Sequence, residues 1–106
     1  MTPKNSIKEI TKVMQYEPLL FAVISKEQIT TKLKKCKDRY FNYALVDNDE
    51  IKYIGYTGNL YHRMRQHKPR RFNKVLIMEF DNEEIARANE KIMIKALRPE
   101  SNYQFC

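Results

Sequence analysis

"YFNYALVDNDEIKYIG", residues 40–55, places two runs rich in apolar and aromatic residues on either side of the polar group Asp47-Asn48-Asp49-Glu50. Apolar runs of this length bounded by a polar cluster read as a β-hairpin. Downstream, the loop Thr57-Gly58-Asn59 leads into a helix through His67, with Asn59 as its candidate N-cap and Pro69 beyond its end. "NKVLIMEF" (residues 73–80) reads as a third, central strand, because it is apolar over most of its length. Asp81-x-x-Glu84 resembles a capping box for a last helix, "EEIARANEKIMIKAL", running to Arg98-Pro99. Its apolar centre is expected at Ile85, Ala88, Ile92 and Ala96, widened by Ala86, Met93 and Leu97.

Upstream of Tyr40 the texture is helical. "SIKEITKVMQY" sets Ile7, Ile10, Val13 and Met14 at helical spacing, with Ser6 as candidate cap, until Pro18 forces a break. "SKEQITTKLKKCKD" opens with Ser-x-x-Gln and carries Ile29, Leu33 and Cys36 on one side. The expected organisation is a helical N-terminal extension over residues 1–40 and a mixed domain over 41–106. The fold class is α+β: a small, three-stranded, mainly antiparallel sheet with flanking helices, in the order β-β-α-β-α.

A chain of 106 residues supports one core. Its longest apolar run, Pro18 to Ile24, is far short of the roughly 20 residues that span a bilayer. The start of the sequence lacks the pattern of a signal peptide, so an intracellular, cytoplasmic location is expected. Cys36 and Cys106 have no neighbouring thiol or histidine cluster, which argues against a zinc site and for free thiols.

Charge is unevenly distributed. Residues 51–78 contain no Asp or Glu but carry Lys52, Arg63, Arg65, Lys68, Arg70, Arg71 and Lys74, seven cations matching the net charge of +7. A second basic cluster lies over residues 32–39. Such concentrated positive potential suits a polyanion, with nucleic acid as the expected partner. Within the basic helix, Leu60, Arg63, Met64 and His67 share one face. That face turns inward, and an inward arginine is costly unless an anion such as a phosphate meets it; the alternative is that the long side chain carries its head outward to water. On the last helix, Glu90 sits at the margin of the apolar face. It is placed either to hold one Mg²⁺, which often takes a single carboxylate, or to pair with Arg87 or Lys91. Tyr43 and Tyr53 lie on adjacent strands on the side of the basic helix, where nearby cations lower a tyrosine's pKa.

These residues together resemble the GIY-YIG nuclease family. The second triplet stands intact as Tyr53-Ile54-Gly55; Arg63 and His67 follow in the family's order and spacing. Glu90 falls in "ANEKIMIKALRPESN", similar to the family's closing pattern, which ends at Asn102. The first triplet is Phe41-Asn42-Tyr43, where only the tyrosine remains, and Tyr56 stands where many members have lysine. Lys52 or Lys74 would then have to serve in its place. The resemblance covers about residues 41–102. It implies a metal-dependent endonuclease acting on double-stranded or branched DNA, with RNA left open as substrate. Glu90 would hold Mg²⁺ or Mn²⁺, Arg63 would stabilise the phosphoryl charge, and Tyr43 would activate water with His67 as helper or alternative base. Tyr53 would orient the water or phosphate, and Asn102 would tie the last helix to the catalytic core. Lys52, Arg65, Lys68, Arg70, Arg71 and Lys74 would hold the nucleic-acid backbone. The alternatives are an inactive nucleic-acid-binding module, a repressor or accessory subunit, and a basic interaction protein with an acidic partner. Sequence specificity would be modest, or would come from a partner or a homo-oligomer. A phage or mobile element would be a fitting source.

Overall fold

The computed structural model describes residues 7–29, 37–99 and 102, with only the backbone for 37–39. The hairpin forms as expected. Strand β2 (Lys37–Asp47) and strand β3 (Glu50–Asn59) are antiparallel, closed by Asn48 at φ 52° and Asp49 at φ 66°. Two successive left-handed residues make the type I′ turn whose twist suits a hairpin, and Asn and Asp tolerate that region better than other side chains.

The sheet has four strands, not the expected three. Leu20–Ser25 is strand β1, Lys74–Phe80 is strand β4, and the order β1-β4-β2-β3 is antiparallel at every neighbour. "LFAVIS" was legible only as an apolar run inside helical texture. Six residues are too few to show a helical period, and the β-branched and aromatic content favours the strand. Helix α1 (Ile7–Val13) lies where helix was expected. In the next expected helix, Lys26–Gln28 is a single 3₁₀ turn, with Gln28 Oε1 accepting from Ser25 N–H at 3.1 Å. Residues 30–36 lie outside the described residues, and Lys37 and Asp38 already belong to β2.

Two apolar layers sandwich the sheet. On one face Phe41, Tyr43, Leu45, Val75 and Ile77 meet Leu60 and Met64 of helix α2 (Leu60–His67). On the other, Ala44, Val46, Ile54, Leu76 and Met78 meet Ile10 of α1, and Ala86 and Met93 of helix α3 (Glu83–Leu97). Strands β2 and β4 are central and buried on both faces, hence their near-continuous apolar sequence. Asn59 caps α2 as expected, accepting from His62 N–H at 3.1 Å. The cap of α3 is Asn82, accepting from Ile85 N–H at 3.1 Å, rather than Asp81. The buried stripe of α3 is Ala86, Asn89 and Met93, one residue round the helix from the expected centre, and Ala96 is exposed. Arg98, left-handed at φ 47°, ends α3 ahead of Pro99, where the α region is disfavoured. Among the described residues no helix is long and apolar enough to cross a membrane.

Tyr43 faces Gly55 across the β2–β3 ladder. Its ring crosses directly over the glycine, so that a Cβ there would overlap the ring carbons and the hydroxyl. Gly55 has no left-handed φ; what it supplies is missing volume, not a turn. Gly55→Ala therefore costs about 1–3 kcal/mol of stability by overpacking. The loss shrinks in a Tyr43→Leu background, and the coupling can be read from a double-mutant cycle of urea denaturation midpoints.

Candidate active site

The pleat of β2 sends Asn42 and Tyr43 to opposite faces of the sheet. On the α2 side, the fully buried Tyr43 reaches His67, the last residue of α2, with its hydroxyl 2.7 Å from Nε2. Tyr53 completes a triangle of rings, with centroids 6.0 Å from Tyr43 and 5.1 Å from His67, while Tyr43 and His67 are 5.4 Å apart. The Arg70 guanidinium lies 5.0 Å above the Tyr53 ring.

Of the two readings of Arg63 the outward one is realised: the residue is exposed, although Leu60, Met64 and His67 of the same face are buried. A long side chain carries its head back to water even where its Cα faces the core. Its charge still reaches inward, acting on Tyr43, His67 and Glu90 alike.

The electrostatics also reverse an expectation. Burial pushes the Tyr43 hydroxyl well above the ordinary tyrosine range, and the neighbouring Tyr53 adds to this; Arg63 opposes it without prevailing. Neither Lys52 nor Lys74 figures among the charges acting on Tyr43. His67 is pushed down to about 4, by burial first and then by Arg70 and Arg63. Both shifts favour neutral forms. The 2.7 Å contact therefore joins a neutral phenol to a neutral imidazole, with the direction of donation set by the His67 tautomer.

Across the edge strand β3, Glu90 of α3 is half-buried, and burial raises its carboxyl. Arg87, Lys91, Arg63 and the Tyr56 backbone N–H pull it back. Of the two readings of Glu90, pairing with Arg87 is not realised: Arg87 Nε instead binds Glu83 at 3.0 Å and lies 4.6 Å over the Tyr56 ring. Glu90 forms no ion pair among the described residues. No group of three metal-ligating side chains occurs among them either. A half-buried, unpaired hard carboxylate is compatible with an ion such as Mg²⁺, which keeps most of its waters and accepts a single protein ligand.

Asn102 binds the middle residue of the Tyr53-Ile54-Gly55 triplet at both backbone groups. Its Oδ1 accepts from Ile54 N–H and its Nδ2 donates to Ile54 C=O, each at 2.7 Å. The expected backbone-binding cations are dispersed. Arg70 joins the ring cluster, and Arg65 and Lys68 are exposed on or just after α2. Lys74 is exposed at the start of β4. Lys52 and Arg71 are held near the hairpin turn by Glu50 at 2.8 Å and Asp47 at 3.4 Å.

Two buried asparagines escaped the sequence reading. Asn42 Nδ2 donates to Ala86 C=O at 2.8 Å, and Asn89 Nδ2 donates to Asn42 Oδ1 at 2.9 Å, leaving Asn89 Oδ1 without a partner among the described residues. The available signal was an amide inside the otherwise apolar "YFNYALV". The chain matches no family model, no curated protein and no solved structure.

The His67 shift has a definite pH consequence. Between the ordinary value of 6.5 and about 4, the unfolded chain binds a proton that the folded one refuses. Stability is thus fully present above pH 6.5 and falls as pH drops towards 4, by roughly 2–3 kcal/mol. Denaturation midpoints followed against pH will show this slope in the wild type and a flatter one in His67→Gln.

Proposed function

We propose that this chain is a metal-dependent endonuclease that hydrolyses DNA phosphodiester bonds, in keeping with its resemblance to the GIY-YIG nucleases. One observation carries the reading. Tyr43, Tyr53 and His67, far apart in sequence, meet as one ring cluster with the Tyr43 hydroxyl 2.7 Å from His67 Nε2, and the charge of Arg63 bears on Tyr43 and His67, and on Glu90 across β3. Aromatic hydroxyls, a neutral imidazole, a carboxylate and a solvent-facing guanidinium form the inventory that phosphoryl hydrolysis uses.

Each residue then has a definite task. Arg63 meets the scissile phosphate with its planar fork of donors. Tyr43, held protonated, is not a ready-made phenolate base. As it takes a proton from the attacking water, its own proton passes along the 2.7 Å contact to His67 Nε2, so the imidazole is the final acceptor. Tyr53, beside both, orients the water or the phosphate. When bound by Glu90, a divalent ion supplies charge neutralisation at the phosphate. Asn102 fixes the edge strand at Ile54 and so keeps Tyr53 and Gly55 in place. Arg65, Lys68, Arg70, Arg71, Lys74 and Lys52 contribute positive potential towards the nucleic-acid backbone.

Arg70 and Arg63 are the two cations that depress His67. A bound phosphate neutralises them and raises the imidazole towards its working range. The acid limb of kcat therefore lies at higher pH than that of kcat/KM, since the first reports the complex and the second the free enzyme.

The decisive experiment incubates plasmid, branched and single-stranded DNA, with an RNA control, in Mg²⁺ or Mn²⁺. Wild type cuts; Glu90→Gln and Arg63→Ala each lose about 10²–10³-fold in rate, with Glu90→Gln still retained on DNA in a salt-sensitive manner. Equal cutting by all three proteins, or no cutting of any substrate, sinks the proposal. Tight binding without cutting in either metal indicates the inactive binding module instead.

A further inference from the structure

The two edges of the sheet are finished differently. On β3 the outer rim is occupied by Asn102, which takes both backbone groups of Ile54. Strand β1 pairs only with β4, and no described strand lies on its outer side. An outer strand presents unpaired N–H and C=O groups, which natural sheets shield with charged side chains, proline or a bulge. Here the shielding is missing: from Pro18 to Ser25 there is no charged residue, in a chain with 20 Lys and Arg and 13 Asp and Glu. The ladder to β4 is regular, without a bulge.

Exposed apolar groups concentrate at the same place. Tyr16, Leu19, Leu20, Phe21 and Val23, the large exposed apolar side chains among the described residues, are 37–60% exposed and fall within one eight-residue stretch. Beside them is a cleft of about 360 Å³, whose lining includes Met14, Tyr16, Pro18 and Phe21. Contiguous apolar exposure next to an open strand edge marks an interaction surface for another strand.

We propose that two copies of this chain associate through β1, each strand pairing antiparallel with its counterpart about a two-fold axis. Three features favour a second copy over an unrelated chain. An antiparallel strand pair is self-complementary under a two-fold, so one surface serves both sides. Every residue from Pro18 to Ile24 is apolar, so antiparallel self-pairing sets apolar side chains opposite apolar ones along the whole strand. The chain's net charge of +7 repels a copy elsewhere, whereas this strand offers an uncharged approach. The product is a continuous eight-stranded sheet with the two β3 edges, and their Tyr43–His67 clusters, at its outer ends.

The interface is independent of any catalytic activity, and so is its test. Light scattering on the eluting wild-type chain gives a mass that rises from one chain to two across the micromolar range. Hydrogen exchange at the β1 amides slows in step with that rise. Val23→Lys places a charge in the centre of the pairing, and Leu19→Lys places one at the most exposed apolar position, just outside the strand. Each raises the dissociation constant at least about 10-fold by setting a charge into an apolar seam, with the far-ultraviolet circular dichroism unchanged. Leu19→Lys keeps the measurement informative should Val23→Lys fold poorly. A single-chain mass at every wild-type concentration overturns the proposal. So does a dimer whose dissociation constant neither substitution changes.

Discussion

Burial of β2 on both faces is the constraint on which the rest depends. Over residues 41–46 the strand is flanked by β4 and β3 and covered above and below, so a polar side chain there must find its partner inside. Two consecutive residues do so in opposite directions. The Tyr43 hydroxyl is hydrogen-bonded to His67 Nε2 at the end of α2, and Asn42 donates its amide to the Ala86 carbonyl in α3. One dipeptide thereby determines how the helices on both sides sit against the sheet. The Tyr43 arm requires Gly55 as well, since the ring can reach His67 only by crossing a residue without a side chain.

The Asn42 arm explains why α3 lies differently from its apolar pattern. Ile85, Ala88, Ile92 and Ala96 form a regular stripe, yet the stripe that enters the core is Ala86, Asn89 and Met93. A buried Asn42 amide left unpaired costs about 1–3 kcal/mol, which is comparable to the gain from burying one more aliphatic side chain. With Asn89 donating to Asn42, and Ala86 accepting from it, α3 is rotated into place by hydrogen bonds even at the expense of the orphaned Asn89 Oδ1. Glu90, next in sequence to Asn89, is consequently carried to the half-buried margin over β3. Its environment is thus a by-product of how the amide pair is satisfied.

What could be read in the sequence was whatever local chemistry decides. The hairpin was legible because Asn48 and Asp49 tolerate the left-handed turn, α2 because Asn59 caps it, and the end of α3 because Arg98 precedes a proline. Strand β1 was not, since six apolar residues carry no period. The gathering of Tyr43, Tyr53 and His67 followed from alternation along two strands and the spacing of one helix face. The orientation of Arg63 stood open between inward and outward because the direction of a Cα does not fix where a long side chain ends. Tyr43 was misjudged in sign for another reason. Composition shows the cations around a tyrosine but not its depth, and at full burial desolvation outweighs the one cation near enough to act.

That sign matters for how such a cluster can work. In the folded chain Tyr43 and His67 are both neutral, while Arg63 and Arg70 stay charged beside them. The site therefore presents net positive potential around an uncharged proton-transfer pair, a state suited to receiving a phosphate and ill suited to deprotonating water in its absence. On the nuclease reading, the anion is attracted by the same two guanidiniums that hold His67 down. Neutralising them releases the imidazole, so binding of substrate and activation of the base become one electrostatic event. A lysine beside the tyrosine would lower its pKa at all times. Tyr56 lies on the other face of β3, against Arg87, so on the nuclease reading the base would be governed by whether a phosphate is present.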